Sequence, residues 1–288
     1  MAPNDVRRIA FAVVAIPLAY LLVWYGGIPL VVLIAVAAGL GARELFGLAE
    51  RQQVRPAVAT GLVTAAALAP LTYASLVSPS TAALAVAAWP YAVAAWLIGL
   101  LTWALAARSP AERPLEAVGV TLLAVLYTGA LPAFLLVIRH AQLPVRSWAG
   151  AWLVFFPLIV TWVCDTAAMY GGRTFGGPKL APTVSPGKTR SGAVAGVIGG
   201  LAIAPLFSVL VFPRVGVHVG VWELVLIAGV LSVVGQVGDL VESLFKRQAG
   251  VKDSSALIPG HGGVLDRLDS LYFVIPVAAM MYRAFGVI

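Results

Sequence analysis

The chain has 288 residues, 61% of them hydrophobic and only 11% charged, where a soluble globular domain carries about 25% charged residues. With a mean hydropathy of +0.96, that composition excludes a water-soluble fold, because no compact domain of this length could bury so much apolar surface. The net charge of +7 would suggest a nucleic-acid partner on a soluble protein; here the charges sit between apolar runs, and the one cysteine, Cys164, excludes a disulfide framework.

In chain order, nine segments are apolar enough for membrane spans, near 8–25, 28–42, 57–77, 82–106, 116–138, 148–170, 192–212, 220–245 and 268–286, against the roughly 20 residues that a crossing helix needs. The second is short and the fourth carries Pro90. Closed β-barrels are the other spanning solution, but runs such as 153–163 lack the alternation of barrel strands. The predicted fold class is therefore all-α, a polytopic membrane protein of about nine transmembrane helices. The first run follows Arg7 and Arg8 without a convincing cleavage site, so it reads as a retained helix rather than a signal peptide. With the N-terminus inside, 15 of the 19 Lys and Arg fall on the inner side, leaving Arg139, Arg146, Arg214 and Arg283 outside. That asymmetry predicts a cytoplasmic N-terminus.

Residues 1–150 show no motif and read as scaffold helices, whereas residues 151–288 read as a catalytic region. Of the twelve acidic residues, six stand at Asp165, Asp239, Glu242, Asp253, Asp266 and Asp269, all in that second half. Most sit at helix ends that the topology places on the cytoplasmic side. Ionisable groups in or beside spans are costly and mark function. Between the sixth and seventh runs, residues 171–192 are rich in Gly, Pro, Lys and Arg and read as a loop suited to phosphates. Gly187-Lys188-Thr189 is not a P-loop, since Pro182 stands where that motif needs glycine and no strand precedes it. Beyond it, Gly192, Gly196 and Gly200 form a small-residue stripe for helix packing.

The densest chemistry lies between Asp239 and Asp269. Asp239, Glu242, Ser243 and Lys246 share one helix face, and Asp266 and Asp269 open the last helix. Carboxylates presented by two helix ends suit Mg²⁺, which takes one or two of them together with substrate phosphates. The surrounding Lys246, Arg247, Lys252 and Arg267, with Lys188 from the earlier loop, would neutralise a nucleoside triphosphate, beside glycines at 260, 262 and 263. The blander readings are caps for Asp266 and Asp269, an ion pair of Asp239 with Lys246, and a turn-shaping role for His261.

Ser243, Lys246, Arg247, Lys252, Asp253, Pro259, His261, Gly262, Gly263, Asp266, Arg267 and Asp269 stand in the register of one signature. The segment resembles the phosphatidate cytidylyltransferase (CDP-diacylglycerol synthase) family, as do Gln236–Asp239, Asp165-Thr166 and Ser185–Thr189. The sequence departs from the family pattern at Arg190-Ser191-Gly192. The resemblance implies CTP and phosphatidate as substrates, Mg²⁺ as cofactor, the bilayer as partner and a homodimer; the lack of a targeting peptide points to a bacterial plasma (inner) membrane, and the topology puts the site on the cytoplasmic side. The resemblance also implies metal binding by Asp239 and Asp266, with Asp269 and Asp165 as further candidates. Lys246, Arg247, Ser243 and His261 would act in catalysis, and Lys188, Lys252, Arg267, Gly262 and Gly263 would bind substrate. The rival readings are a transporter, whose sites lie near the midplane on repeated halves, and an enzyme using CTP on another lipid.

Overall fold

The computed structural model describes residues 13, 17–140, 143–258, 260 and 262–288. A helix at 17–25 (α1) is followed by α2 (Gly27–Glu50), α3 (Val58–Val77), α4 (Pro79–Ala107) and α5 (Pro114–Ala124), which runs through a π turn into α6 (Leu131–His140). Then come α7 (Trp148–Phe175), strands β1 (Lys179–Ala181) and β2 (Ser185–Thr189), α8 (Arg190–Leu206), α9 (Val221–Gln248), the short α10 (Leu265–Leu268) and α11 (Leu271–Ala284). Among the described residues, seven helical stretches are long and apolar enough to cross a membrane, so the chain is an all-α polytopic membrane protein. The first expected span falls partly outside the described residues, which include its end as α1. The last is divided, with α11 only 14 residues long.

Several helices run further than hydropathy suggested. Helix α2 continues to Glu50 rather than ending near residue 42, and α7 passes through Gly171 and Gly172 to Phe175. These helical positions are glycine because α8 lies against them. A side chain on Gly171 would collide with Ala195, one on Gly172 would come within 2.9 Å of the Thr189 hydroxyl, and one on Gly192 within 2.7 Å of the Ala168 carbonyl. The predicted glycine stripe is this seam: Gly192, Gly196 and Gly200 are all buried, Gly196 against Cys164 and Gly200 against Ser232 of α9. Where α7 does end, Gly176 (φ 58°) and Gly177 (φ 94°) take left-handed backbone that other residues rarely adopt.

The stretch expected to be a loop is instead an antiparallel hairpin, pairing Lys179 with Thr189 and Ala181 with Ser185. Thr189 ends β2 and caps α8, accepting the Gly192 amide at 3.1 Å. The core lies where α6, α7, α9 and α11 meet, around Phe155, Phe156, Phe207, Phe212, Leu224 and Tyr282. By contrast α4 leaves Val86 76% and Leu105 85% exposed, as a helix in contact with lipid would.

At the opposite end of the bundle, Gly26 and Gly27 break α1 from α2 with φ of 66° and 58°. The broken backbone is clamped from α6. Arg139, fully buried, donates to the carbonyls of Val23 (2.7 Å) and Trp24 (2.6 Å), and the Gly27 amide donates to His140 Nε2 at 3.1 Å. His140 is thus buried in a helix junction.

Candidate active site

Two carboxylate-centred networks are built on the last turns of α9. The first faces the hairpin. Asp239 accepts from Lys188 Nζ at 2.5 Å through Oδ2, and from the Ser243 hydroxyl at 3.3 Å through Oδ1. Asp239 and Ser243 are one helical turn apart, so the bond follows from helix geometry. Lys188 arrives from β2, 51 positions earlier in the chain. The cation beside Asp239 is therefore Lys188, and not the Lys246 that helix spacing offered.

The second network faces the loop between α9 and α10. Lys246 Nζ lies 2.7 Å from both Glu242 and Asp266, and all three residues are buried. The other oxygen of Asp266 accepts the Ser254 amide (2.8 Å), the Ser254 hydroxyl (2.7 Å) and the Gly263 amide (2.8 Å). Burial alone would raise the Asp266 pKa; Lys246, the Gly263 amide and Ser254 outweigh it and hold the carboxyl below its usual range. Asp266 thus has both oxygens engaged within the protein. Gly262 and Gly263 fold around these carboxylates: Gly262 has φ 81° and a Cβ there would lie 2.6 Å from Asp266, while a side chain on Gly263 would collide with Ser254 and Glu44.

Glu44 of α2 escaped the sequence reading. It is buried, at 6% exposure, and accepts from the Ser254 and Ser255 hydroxyls (3.1 and 2.7 Å) and from the Val264 and Leu265 amides (3.0 and 2.7 Å). A buried acid in a motif-free half was its only signal.

The remaining candidates divide. Arg247 is exposed and donates to the carbonyls of Val184 (3.2 Å) and Val251 (2.8 Å), tying the hairpin turn to the end of α9. Lys252, Asp253 and Arg267 are exposed. His261 lies outside the described residues. Ser191, at the departure from the signature, donates to the Gly176 carbonyl and shares a hydrogen bond with Thr189, so it helps join hairpin to helix.

The first network opens onto a cavity of about 660 Å³, bounded by Asp165, Arg173, Lys179, Lys188, Gln236 and Asp239 together with glycines of α7, β2 and α8. The volume is in the range of small-molecule sites. Asp269 sits beyond the cavity wall, where its main chain packs 2.8 Å from the position of a Cβ on Gly238. The charges of Asp239 and Asp165 both bear on it. Among the described residues no three Asp, Glu, His or Cys side chains stand at ligand spacing. A Mg²⁺ held by one or two carboxylates plus substrate phosphates does not need three. Asp239 and Asp165 both face the cavity with carboxylate oxygen, and a lysine ammonium is already drawn to Asp239, so this pair fits such an ion.

Residues 6–285 match the family model described as the cytidylyltransferase family. A protein of Staphylococcus epidermidis named phosphatidate cytidylyltransferase is 44% identical over 128 residues, 44% of this chain and 48% of that one. One of the same name from Staphylococcus saprophyticus is 48% identical over a stretch of the same length. A third, from Brucella suis, is 47% identical over 143 residues, 48% of each chain. The chain spans about half the length of these relatives.

Proposed function

The chain belongs to the cytidylyltransferase family, and from that membership and the arrangement of charge we propose that it transfers the cytidylyl group of CTP to phosphatidate, yielding CDP-diacylglycerol and pyrophosphate. The observation that carries the reading is the Lys188–Asp239 pair on a cavity that also presents Arg173 and Lys179. An acid and several bases around one space is what a reaction between two polyanions requires. The three similar proteins bear the name of this activity.

In the proposed reaction a phosphate oxygen of phosphatidate attacks the α-phosphorus of CTP, and the bond from that phosphorus to the bridging oxygen of the β-phosphate breaks. A phosphate monoester has a second pKa near about 6, so the acceptor is already largely dianionic at neutral pH and no strong general base is needed. What the protein must do is position the two anions and offset their repulsion. Lys188, Arg173 and Lys179 would take the phosphates that enter the cavity. Asp239 and Asp165, with Asp269 behind them, are the residues that would hold Mg²⁺, which when bound would supply further neutralisation of the triphosphate. Asp266 is better suited to order the loop, because its oxygens already serve Lys246, Ser254 and Gly263. Lys252 and Arg267, exposed on that loop and its helix, are free to meet the nucleotide from the aqueous side.

With basic residues concentrated on that face, we place it in the cytoplasm of a bacterial plasma membrane, in a protein acting as a homodimer. The test is pyrophosphate release by detergent-purified protein given CTP and phosphatidate, with and without Mg²⁺. Release that needs all three components supports the reading. Release with a different lipid acceptor in place of phosphatidate would move the assignment to that lipid. No release with any acceptor, from folded protein, would defeat it.

A further inference from the structure

We propose that Glu44 is a positioning residue for this site, contributed by the otherwise motif-free first half of the chain. Its carboxylate lies inside the loop that carries the signature and holds it in shape. Four donors converge on it: the hydroxyls of Ser254 and Ser255 on one limb of the loop, and the amides of Val264 and Leu265 on the other. The sequence separations run from 210 to 221 residues, so no local folding rule produces these bonds.

A buried carboxylate ordinarily needs a cation. Among the described residues Glu44 has no salt-bridge partner, and its four bonds all go to loop donors. Those donors also cannot do without Glu44: the Val264 and Leu265 amides open α10, where helix N–H groups lack intrahelical partners. Ser254 joins the two acids, since its hydroxyl is 3.1 Å from Glu44 and 2.7 Å from Asp266. The loop is therefore gripped from two sides, by Asp266 from its own end and by Glu44 from α2. Gly263 is glycine because the Glu44 carboxylate occupies the space that a side chain would need.

Beside the residues so fixed stand exposed charges, Lys252 and Asp253 before Ser254 and Arg267 after Leu265. Loosening the grip would let these wander. The chemical part of this inference rests on the cytidylyltransfer reading; the structural part rests on the hydrogen bonds alone. The test pairs Glu44→Gln, which keeps shape but presents an amide to four donors, with the milder Ser255→Ala, which removes one bond from the loop side. Hydrogen exchange is followed over residues 251–268 in the full-length protein, and KM for CTP and kcat are measured by pyrophosphate release.

In Glu44→Gln we expect faster exchange confined to that segment, by tenfold or more at Val264 and Leu265, and a CTP KM raised about tenfold. Ser255→Ala should show the same pattern more weakly. A residue that only supports folding would lower kcat through lost active protein and leave KM unchanged; an unchanged CTP KM in both variants overturns the proposal. If the wild-type protein releases no pyrophosphate, the reaction assignment fails on its own. Exchange then decides about Glu44: local loosening supports its grip on the loop and unaltered exchange overturns it.

Discussion

Lys188 and Asp239 meet at 2.5 Å, a strand residue and a helix residue whose only common ground is the cavity wall. Each is about one-quarter exposed, at 28%, so the pair is open to exchange with ligands and is not a sealed structural bridge. In the proposed reaction a lysine in that place would offset the charge of Asp239 before substrate binds, and would be able to turn to a phosphate if a metal took the carboxylate.

Replacing Asp239 by Asn should therefore abolish metal-dependent turnover, by at least about 10²-fold, while Lys188→Ala should cost about 10²-fold, as expected for loss of one electrostatic stabiliser. The Mg²⁺ concentration dependence of pyrophosphate release separates the two. Asp239→Asn should need far more metal, and Lys188→Ala should need no more than wild type. Near-normal turnover in Asp239→Asn would remove it from the metal site.

Lys246 is predicted to matter for stability first. Lys246→Met leaves Glu242 and Asp266, at 0% and 6% exposure, without their shared cation. Breaking a buried pair from one side costs about 3–5 kcal/mol. A large drop in the thermal midpoint in detergent is expected, partly restored by adding Glu242→Leu. An unchanged midpoint would mean that the bridge contributes nothing.

Asp266 gives the protein an acid-sensitive element. Its carboxyl is held below the usual range, despite burial, by Lys246, Gly263 and Ser254. A depressed carboxyl pKa stabilises the fold above the unfolded value of about 4, and that stabilisation fades as pH falls through it toward the lowered one. The midpoint difference between wild type and Asp266→Asn should therefore be full at neutral pH and shrink below about pH 5. A difference that stays constant down to about pH 3 contradicts this.

The α7–α8 seam should tolerate no side chain. Gly196→Leu would press on Cys164 and Ala168, and overpacking of this kind costs about 1–3 kcal/mol or more. Val194→Leu, on the 60% exposed side of the same helix, should be neutral. Equal thermal midpoints for the two variants would show that the seam can open.

Much of this could be read from the residues. Long apolar runs identified most of the helices, because lipid requires every backbone group to be satisfied within its own segment. The gathering of Asp165 and Asp239 followed from acids placed at helix ends, with Lys188 offered by the loop between them. What local pattern could not supply was anything decided by contact between distant segments. Gly171 and Gly172 looked like the start of a loop, yet they are helical, and they are glycine because α8 leaves no room for side chains. Lys246 seemed the natural partner of Asp239 along one helix face, but a strand delivered Lys188 instead and left Lys246 to Asp266. Glu44 had no companion residue at any informative spacing, since its donors lie more than 200 positions away.

Helix α2 is held at both ends. Arg139 and His140 grip the break at Gly26 and Gly27, and Glu44 meets the signature loop 17 residues further on, about 26 Å along the axis at 1.5 Å per residue. The helix thus works as a strut of set length, its height determined at one surface of the bilayer and used at the other. Damage to the Arg139 clamp would then appear not where it was made but across the membrane, as a signature loop seated at the wrong depth.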